Sequence, residues 1–465
     1  MTQRTMPVLW LDVSTLLHWN RPPVGIVRTE MECARYAAAH SGLPVRFCAL
    51  IDGTYREIDP ISVAERFALI AASSGHEPAA PPPLVRVAQA VVALTRKLPP
   101  RLSEEAMGML RRSRRAVGKL RDVLRRPAGP PAFPPARFES GDVFLTMGLD
   151  WDRGRRKVLF DHKLNDGLKL VQVVYDLIPI KLPHMSIITT ASVMVEFMVD
   201  TIRHADKILC ISRHCRSDVD ALIAQYGLSG PPMTVVPLGA NLIGNSAAGE
   251  PPTGIEGEYI LYVSTIERRK NHMILCHAYA RLVEEGHGPI LPKLAFVGMD
   301  GWGVSDLLSD IALDPRLQGH VVRLARVDED ELARLYRSCL FTVFPSFYEG
   351  WGLGVAEGLS AGKFCLASSA ASLPEVGGDL LEYIDPIDGR AWAERLLYYI
   401  RDRDALRRRE DAIRANYRPI TWEAASAVIL DEALALLGRD APSDTPPASS
   451  SSPIQAKANR VGALK

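Results

Sequence analysis

Two glutamates, Glu349 and Glu357, flank a turn in which Gly350, Gly352 and Gly354 stand at every second position. A carboxylate accepts hydrogen bonds in pairs, which suits the vicinal hydroxyls of sugars and riboses. Glycines let the backbone approach a ligand closely, and a helix N-terminus offers unpaired N–H groups to an anion. The run LFTVFP before the turn reads as a buried strand, and VAEGLSAG after it reads as a helix closed by glycine. One carboxylate thus belongs to the turn and the other to the first part of the helix. The plainer alternative makes Glu349 an exposed turn residue and Glu357 an acid favoured by the helix dipole. A second group, Arg268, Arg269 and Lys270, lies in STIERRKNH where an earlier strand meets a helix. Arginine makes forked contacts and lysine supplies a point charge, and both stabilise a departing phosphate.

Other chemistries fit less well. A dinucleotide fingerprint needs a third glycine where this chain has Glu357, and it belongs after the first strand of a domain, not a late one. No Walker loop occurs. Asp150-Trp151-Asp152 imitates a metal-binding D-x-D but reads as a structural turn after a strand. The seven cysteines are scattered, and Cys210 with Cys215 has no matching pair, so neither zinc nor another metal is expected. Their reduced state points to the cytosol. Lys and Arg total 55 against 54 Asp and Glu, which gives no global case for nucleic acid. No apolar run reaches the ~18 residues of a membrane span, and Asp12 interrupts the N-terminal run too early for a signal peptide.

Two regions alternate apolar strands with helices, the pattern of parallel sheets covered on both faces. The expected organisation is an α/β chain of two doubly wound, Rossmann-like domains facing across a cleft. Residues 1–240 form the first, 241–440 the second with a last helix able to pack on either, and 441–465 a disordered tail. A Pro-bracketed insertion, 78–135, interrupts the first domain. Within it, residues 86–126 hold twelve Lys or Arg and three acids, with apolar residues recurring at helical spacing. Two readings stay open: a basic amphipathic helix on an anionic membrane surface, and a solvated helix packed on its own domain. No aromatic interleaving supports nucleic-acid binding there.

The segments STIERRKNH, FVGMDGWG, SFYEGWGLGVAEGLSAGK and SLPEVGGD together resemble the donor domain of the nucleotide-sugar-dependent glycosyl transferases group 1, whose fold is GT-B. PVGIVRTE, VVYDLIP, CISRHCRSD and VVPLGAN resemble that family's acceptor domain. The resemblance implies that Glu349 contacts donor-sugar hydroxyls and Glu357 the nucleotide ribose. It places the amides of Trp351, Gly352, Leu353 and Gly354 on sugar and phosphate. Lys270, helped by Arg269, would bind the diphosphate, and Gly25 would approach it from the acceptor domain. Two departures stand out: Thr265 occupies a common arginine position, so Arg268 or Arg269 must supply charge, and Tyr175 replaces a common histidine next to Asp176. Lys270, Glu349 and Asp176 are the expected catalytic group.

The implied reaction is metal-independent transfer of a sugar with retention of configuration. The resemblance favours a bacterial surface-polysaccharide enzyme that uses a GDP-sugar, mannose first, over a UDP-sugar. Its acceptor would be a glycan or lipid-linked oligosaccharide, and its place the cytoplasm or the inner face of the cytoplasmic membrane. A catalytically silent GT-B scaffold on the membrane and a GT-B epimerase or phosphorylase are the alternatives.

Overall fold

The structure, a computed structural model, describes residues 6–19, 25–72, 133–149, 151, 153–186, 190–240, 254–325 and 327–437. The 86–126 stretch, Asp150, Asp152 and the 441–465 tail lie outside the described residues. The apolar runs become the strands of two sheets. The first contains β1 (Leu9–Asp12), β2 (Val45–Ile51), β3 (Thr54–Ile58), β4 (Val143–Thr146), β5 (Lys169–Val174), β6 (Lys207–Cys210) and β7 (Met233–Val235). Their spatial order is β3-β2-β1-β4-β5-β6-β7, parallel throughout except for β3, which turns back on β2. The second contains β8 (Tyr259–Val263), β9 (Lys293–Val297), β10 (Val321–Leu324), β11 (Thr342–Phe344), β12 (Cys365–Ser368) and β13 (Glu382–Ile384). It is wholly parallel, in the order β10-β9-β8-β11-β12-β13.

Each order reverses its direction of winding once, at β1/β4 and at β8/β11. The loops leaving two such neighbours part to opposite faces and open a crevice at the carboxyl ends of the strands. Residues 264–271 follow β8 and residues 345–352 follow β11, so both chemical clusters of the second sheet converge on its crevice.

Helix Trp422–Leu434 comes after the second sheet in the chain yet packs on helix Ile26–Ala39 of the first unit. Trp422 is buried, and a Cβ on Gly239 would lie 2.5 Å from its Cα, so only glycine fits beneath it. The Ala240 amide donates to the Ile420 carbonyl at 2.9 Å, and Lys169 Nζ donates to the Leu436 carbonyl at 2.9 Å. Residues 420–436 are therefore tied back to the first unit.

Strands β3 and β13 and helices Arg153–Asp166 and Arg403–Asn416 go beyond the sequence reading. Arg56, Glu57 and Glu382 interrupt the two strands, and both helices are rich in charged residues. Gly25 opens the second helix of its unit, not the first, because Ser14–His18 forms a short helix directly after β1.

Trp422→Ala removes the aromatic that seals this return crossing. It is expected to lower stability by about 3–5 kcal/mol in urea unfolding, the usual cost of emptying a buried aromatic site. A loss below about 1 kcal/mol would show the crossing to be dispensable.

Candidate active site

The turn after β8 ends in a short helical turn, Arg268–Lys270, followed by Asn271 in the left-handed region at φ 56°. Asn271 holds that conformation by donating Nδ2 to the carbonyls of Pro345, at 3.1 Å, and Pro386, at 2.7 Å. The Phe347 amide donates to the Arg269 carbonyl at 2.9 Å, and the buried Tyr262 hydroxyl donates to the Lys270 carbonyl at 2.6 Å. The bonds from Asn271 to Pro345 and from Phe347 to Arg269 stitch the β8 loop to the β11 loop across the crevice. Lys270 and Glu349 are thereby fixed opposite each other.

Lys270 Nζ donates to Glu349 Oε1 at 2.7 Å, and Arg269 Nη1 lies 3.0 Å from the same oxygen. Arg269 also donates to the Tyr348 carbonyl at 2.5 Å and to Glu267 Oε1 at 2.7 Å. Burial opposes the charge on Glu349, yet Arg269 and Lys270 hold its carboxyl down at about 2. Lys270 is pulled below the ordinary lysine range by burial; Glu349 opposes that pull and Arg269 adds to it. Burial works against the Arg269 charge too, but Glu349, Glu267 and Asp176 outweigh it and keep the guanidinium ionised.

Asp176 enters this cluster from the first unit, on the loop that follows β5. Its carboxylate accepts the Ile178 amide at 3.0 Å. Burial pushes its carboxyl above the usual range against the pull of Arg269, and the Glu349 charge adds to the rise. Gly350 makes this closeness possible, because a Cβ there would meet the Tyr175 carbonyl oxygen at 2.3 Å. Of the sequence-expected residues, Lys270, Arg269, Glu349 and Asp176 therefore form one charged group. Arg268 does not join it: the side chain is exposed, packed beside Gly303.

The turn leading to the helix is clamped by the buried Ser372 hydroxyl, 2.9 Å from the carbonyl oxygens of both Glu349 and Trp351. Gly352 caps helix Leu353–Ser360 at φ 112°, a backbone state that favours glycine. The amides of Leu353 and Gly354 open that helix and have no carbonyl a turn earlier within it. Gly354 is pinned close to Phe344, whose Cε2 lies 2.8 Å from where a Cβ would be. Glu357, one turn further on, accepts the Tyr336 hydroxyl at 2.9 Å. Burial raises its carboxyl, while Arg28 and Tyr336 pull it down. Gly25 caps helix Ile26–Ala39 at φ 53° with open space where a Cβ would stand.

The sequence reading did not assign Arg28, Tyr336 or Glu375. Arg28 lies one turn after Gly25, which was the available signal. Glu375, from SLPEVGGD, accepts the amides of Arg213 at 2.8 Å and His214 at 2.7 Å, joining the second unit to a helix N-terminus of the first. Among the described residues no group of three or more His, Cys, Asp or Glu is arranged to hold a metal.

Part of the chain resembles known proteins. Residues 251–418 match the family Glycosyl transferases group 1. The chain is 35% identical over 144 residues to O-antigen chain mannosyltransferase B of Escherichia coli, covering 31% of this chain and 37% of that protein. It is 29% identical over 241 residues to the serotype-specific mannosyltransferase WbdA of Escherichia coli, covering 48% of this chain and 29% of that protein. The chain thus spans well under half the length of these relatives. Sucrose-phosphate synthase from Thermosynechococcus elongatus superposes with a TM-score of 0.55 at 16% identity, over 92% of this chain and 99% of that one, a likeness of fold alone. Residues 251–418 therefore carry a match to the glycosyl transferases group 1 family, within a chain of GT-B fold.

Proposed function

We propose that the chain transfers a hexose, mannose first among the candidates, from a GDP-sugar to a glycan or lipid-linked oligosaccharide of a bacterial surface polysaccharide. The transfer retains anomeric configuration and uses no metal. The mannosyltransferase relatives support the sugar and the pathway class. What carries the reading is the buried cluster in which Lys270 and Arg269 meet Glu349 beside Asp176 at the crevice of the second sheet.

In this reading the donor diphosphate lies on Lys270, Arg269 and the amides of residues 351–354, with Gly25 close to it from the first unit. Glu357 takes the ribose hydroxyls and Glu349 the sugar hydroxyls. The sugar–phosphate bond breaks, the acceptor oxygen bonds to the same face of the anomeric carbon, and the acceptor proton passes to the departing phosphate oxygen. Lys270 and Arg269 stabilise the negative charge that develops there, and Asp176 orients the acceptor hydroxyl. The basic 86–126 stretch would bring the enzyme to an anionic membrane surface bearing the acceptor.

The test is incubation of the full chain with GDP-mannose and a short mannose oligosaccharide in a chelator, read by mass and by the anomeric coupling of the product. An extended, α-linked product supports the reading. Neither transfer nor slow donor hydrolysis would leave the silent scaffold, and an altered sugar released without transfer would leave the epimerase.

Glu349→Gln separates binding from turnover. Arg269 and Lys270 already face two carboxylates, Glu267 and Glu349, so an arriving diphosphate competes with fixed anions. Removing one is expected to tighten GDP about fivefold while transfer falls about 10²-fold. Weaker GDP binding would contradict the charge argument.

The same substitution changes the pH dependence of stability. The Glu349 carboxyl stands at about 2 against an ordinary value of 4.5, so its contribution is complete above 4.5 and drains away as pH falls towards 2. The stability gap between wild type and Glu349→Gln in urea unfolding is therefore expected to be widest at neutral pH and to narrow in acid. A gap independent of pH would mean that Glu349 is not held ionised.

A further inference from the structure

The loop that follows β9, residues 298–303, stands at the carboxyl edge of the second sheet, against the loop that carries Arg269 and Lys270. The Ile266 amide donates to the Met299 carbonyl at 2.9 Å, and the Gly301 amide donates to the Ile266 carbonyl at 2.8 Å. Gly303 lies so close to Arg268 that a Cβ there would meet its Cδ at 3.0 Å. The backbone of the loop is therefore held, yet two of its apolar side chains are open: Met299 is 39% and Trp302 43% exposed. Trp302 also crosses to the first unit, where its Nε1 donates to the Met185 carbonyl at 3.3 Å. Met185 belongs to the segment after β5 that begins at Tyr175 and Asp176. The indole thus joins the carboxyl edges of the two sheets through the segment that carries Asp176.

A lone exposed apolar residue needs no explanation, but an aromatic ring tethered by its edge to the opposite unit keeps its surface open in a fixed place. Two side chains make a patch far too small for a stable protein interface, which buries about 1,000 Å² or more. One indole does match one sugar ring, whose C–H face is apolar and whose rim carries hydroxyls. Groups that suit such a rim surround it: Asp300, paired with Arg323, and Arg268 are exposed on the second unit, and His184 is exposed beside Met185 on the first.

We infer that Trp302 is a stacking platform for one sugar ring of the acceptor glycan, contributed by the second unit and steadied by the first. The inference rests on the reading of the reaction as transfer to a glycan. In that reading the donor already has its contacts, from Glu349 at the sugar to Glu357 at the ribose, and Asp176 orients the acceptor. Trp302 meets the first unit on the Asp176 segment, so the ring it receives is a sugar of the acceptor and not the guanine of the donor. It adds affinity for the acceptor and takes no part in the bond change.

Calorimetric titration of the full chain, saturated with GDP, with a mannose oligosaccharide tests this in wild type, Trp302→Ala and Trp302→Phe; GDP alone is titrated into each. Trp302→Ala is expected to bind the oligosaccharide about tenfold more weakly and GDP as wild type does. Trp302→Phe keeps the aromatic face and loses the N–H, and is expected to weaken the oligosaccharide no more than about twofold. In transfer assays the loss in Trp302→Ala falls on KM for the acceptor and not on kcat.

Equal oligosaccharide affinity in wild type and Trp302→Ala would overturn the inference, as would an oligosaccharide that wild type does not bind. Trp302→Phe as weak as Trp302→Ala would make the indole a clasp on Met185 and not a stacking face. Weaker GDP binding in Trp302→Ala, with oligosaccharide affinity unchanged, would give the ring to the nucleobase instead. Oligosaccharide binding that depends on Trp302, in a chain that transfers nothing from GDP-mannose, would keep the platform and overturn the proposed reaction.

Discussion

The Lys270–Glu349 ion pair is the constraint from which the rest of the structure follows. It joins the loop after β8 to the loop after β11, the two strands between which the sheet reverses its winding. Glu349 is buried and Lys270 largely so, and a buried pair gains little over well-packed apolar residues of the same volume. Its cost makes sense at a place where a charged ligand must be met by charges already in position. The surrounding bonds serve that end: Asn271 in its left-handed turn, Tyr262 on the Lys270 carbonyl and Ser372 on the glycine turn all fix backbone, and the backbone fixes the pair.

Charge is distributed so that neither unit is complete alone. The second unit holds the cations and both glutamates, while the first contributes Asp176. Gly350 lets the units approach to backbone contact, and Glu375 accepts two amides at the start of helix Arg213–Tyr226. A carboxylate at that position complements the positive end of the helix dipole. The return of helix Trp422–Leu434 to the first unit sets Trp422 beneath Arg28, which faces Glu329 of the second unit.

Much of this was legible in the sequence, for a physical reason. Strands buried on both faces are continuous apolar runs, and the glycine turn with its two carboxylates is local, so EGWGLGVAE and ERRKNH announce themselves without knowledge of the fold. The sequence could also place Asp176 after a strand of the first unit. It could not show that Arg269 turns inward and Arg268 outward, since that depends on the short helical turn between them and Asn271. Arg28, Tyr336 and Glu375 were hidden more deeply. Their partners lie on other elements, most of them in the other unit, and no spacing along the chain encodes such contacts. Strands β3 and β13 escaped because polar residues interrupt them.

The account stands or falls on a nucleoside diphosphate binding at the β8/β11 crevice. The most direct measurement is calorimetric titration of the full chain with GDP, UDP and ADP in a chelator, repeated with Lys270→Met. The account predicts stoichiometric binding that favours GDP and is lost with Lys270. Binding of none of the three, or GDP binding that survives the loss of Lys270 unchanged, would contradict it.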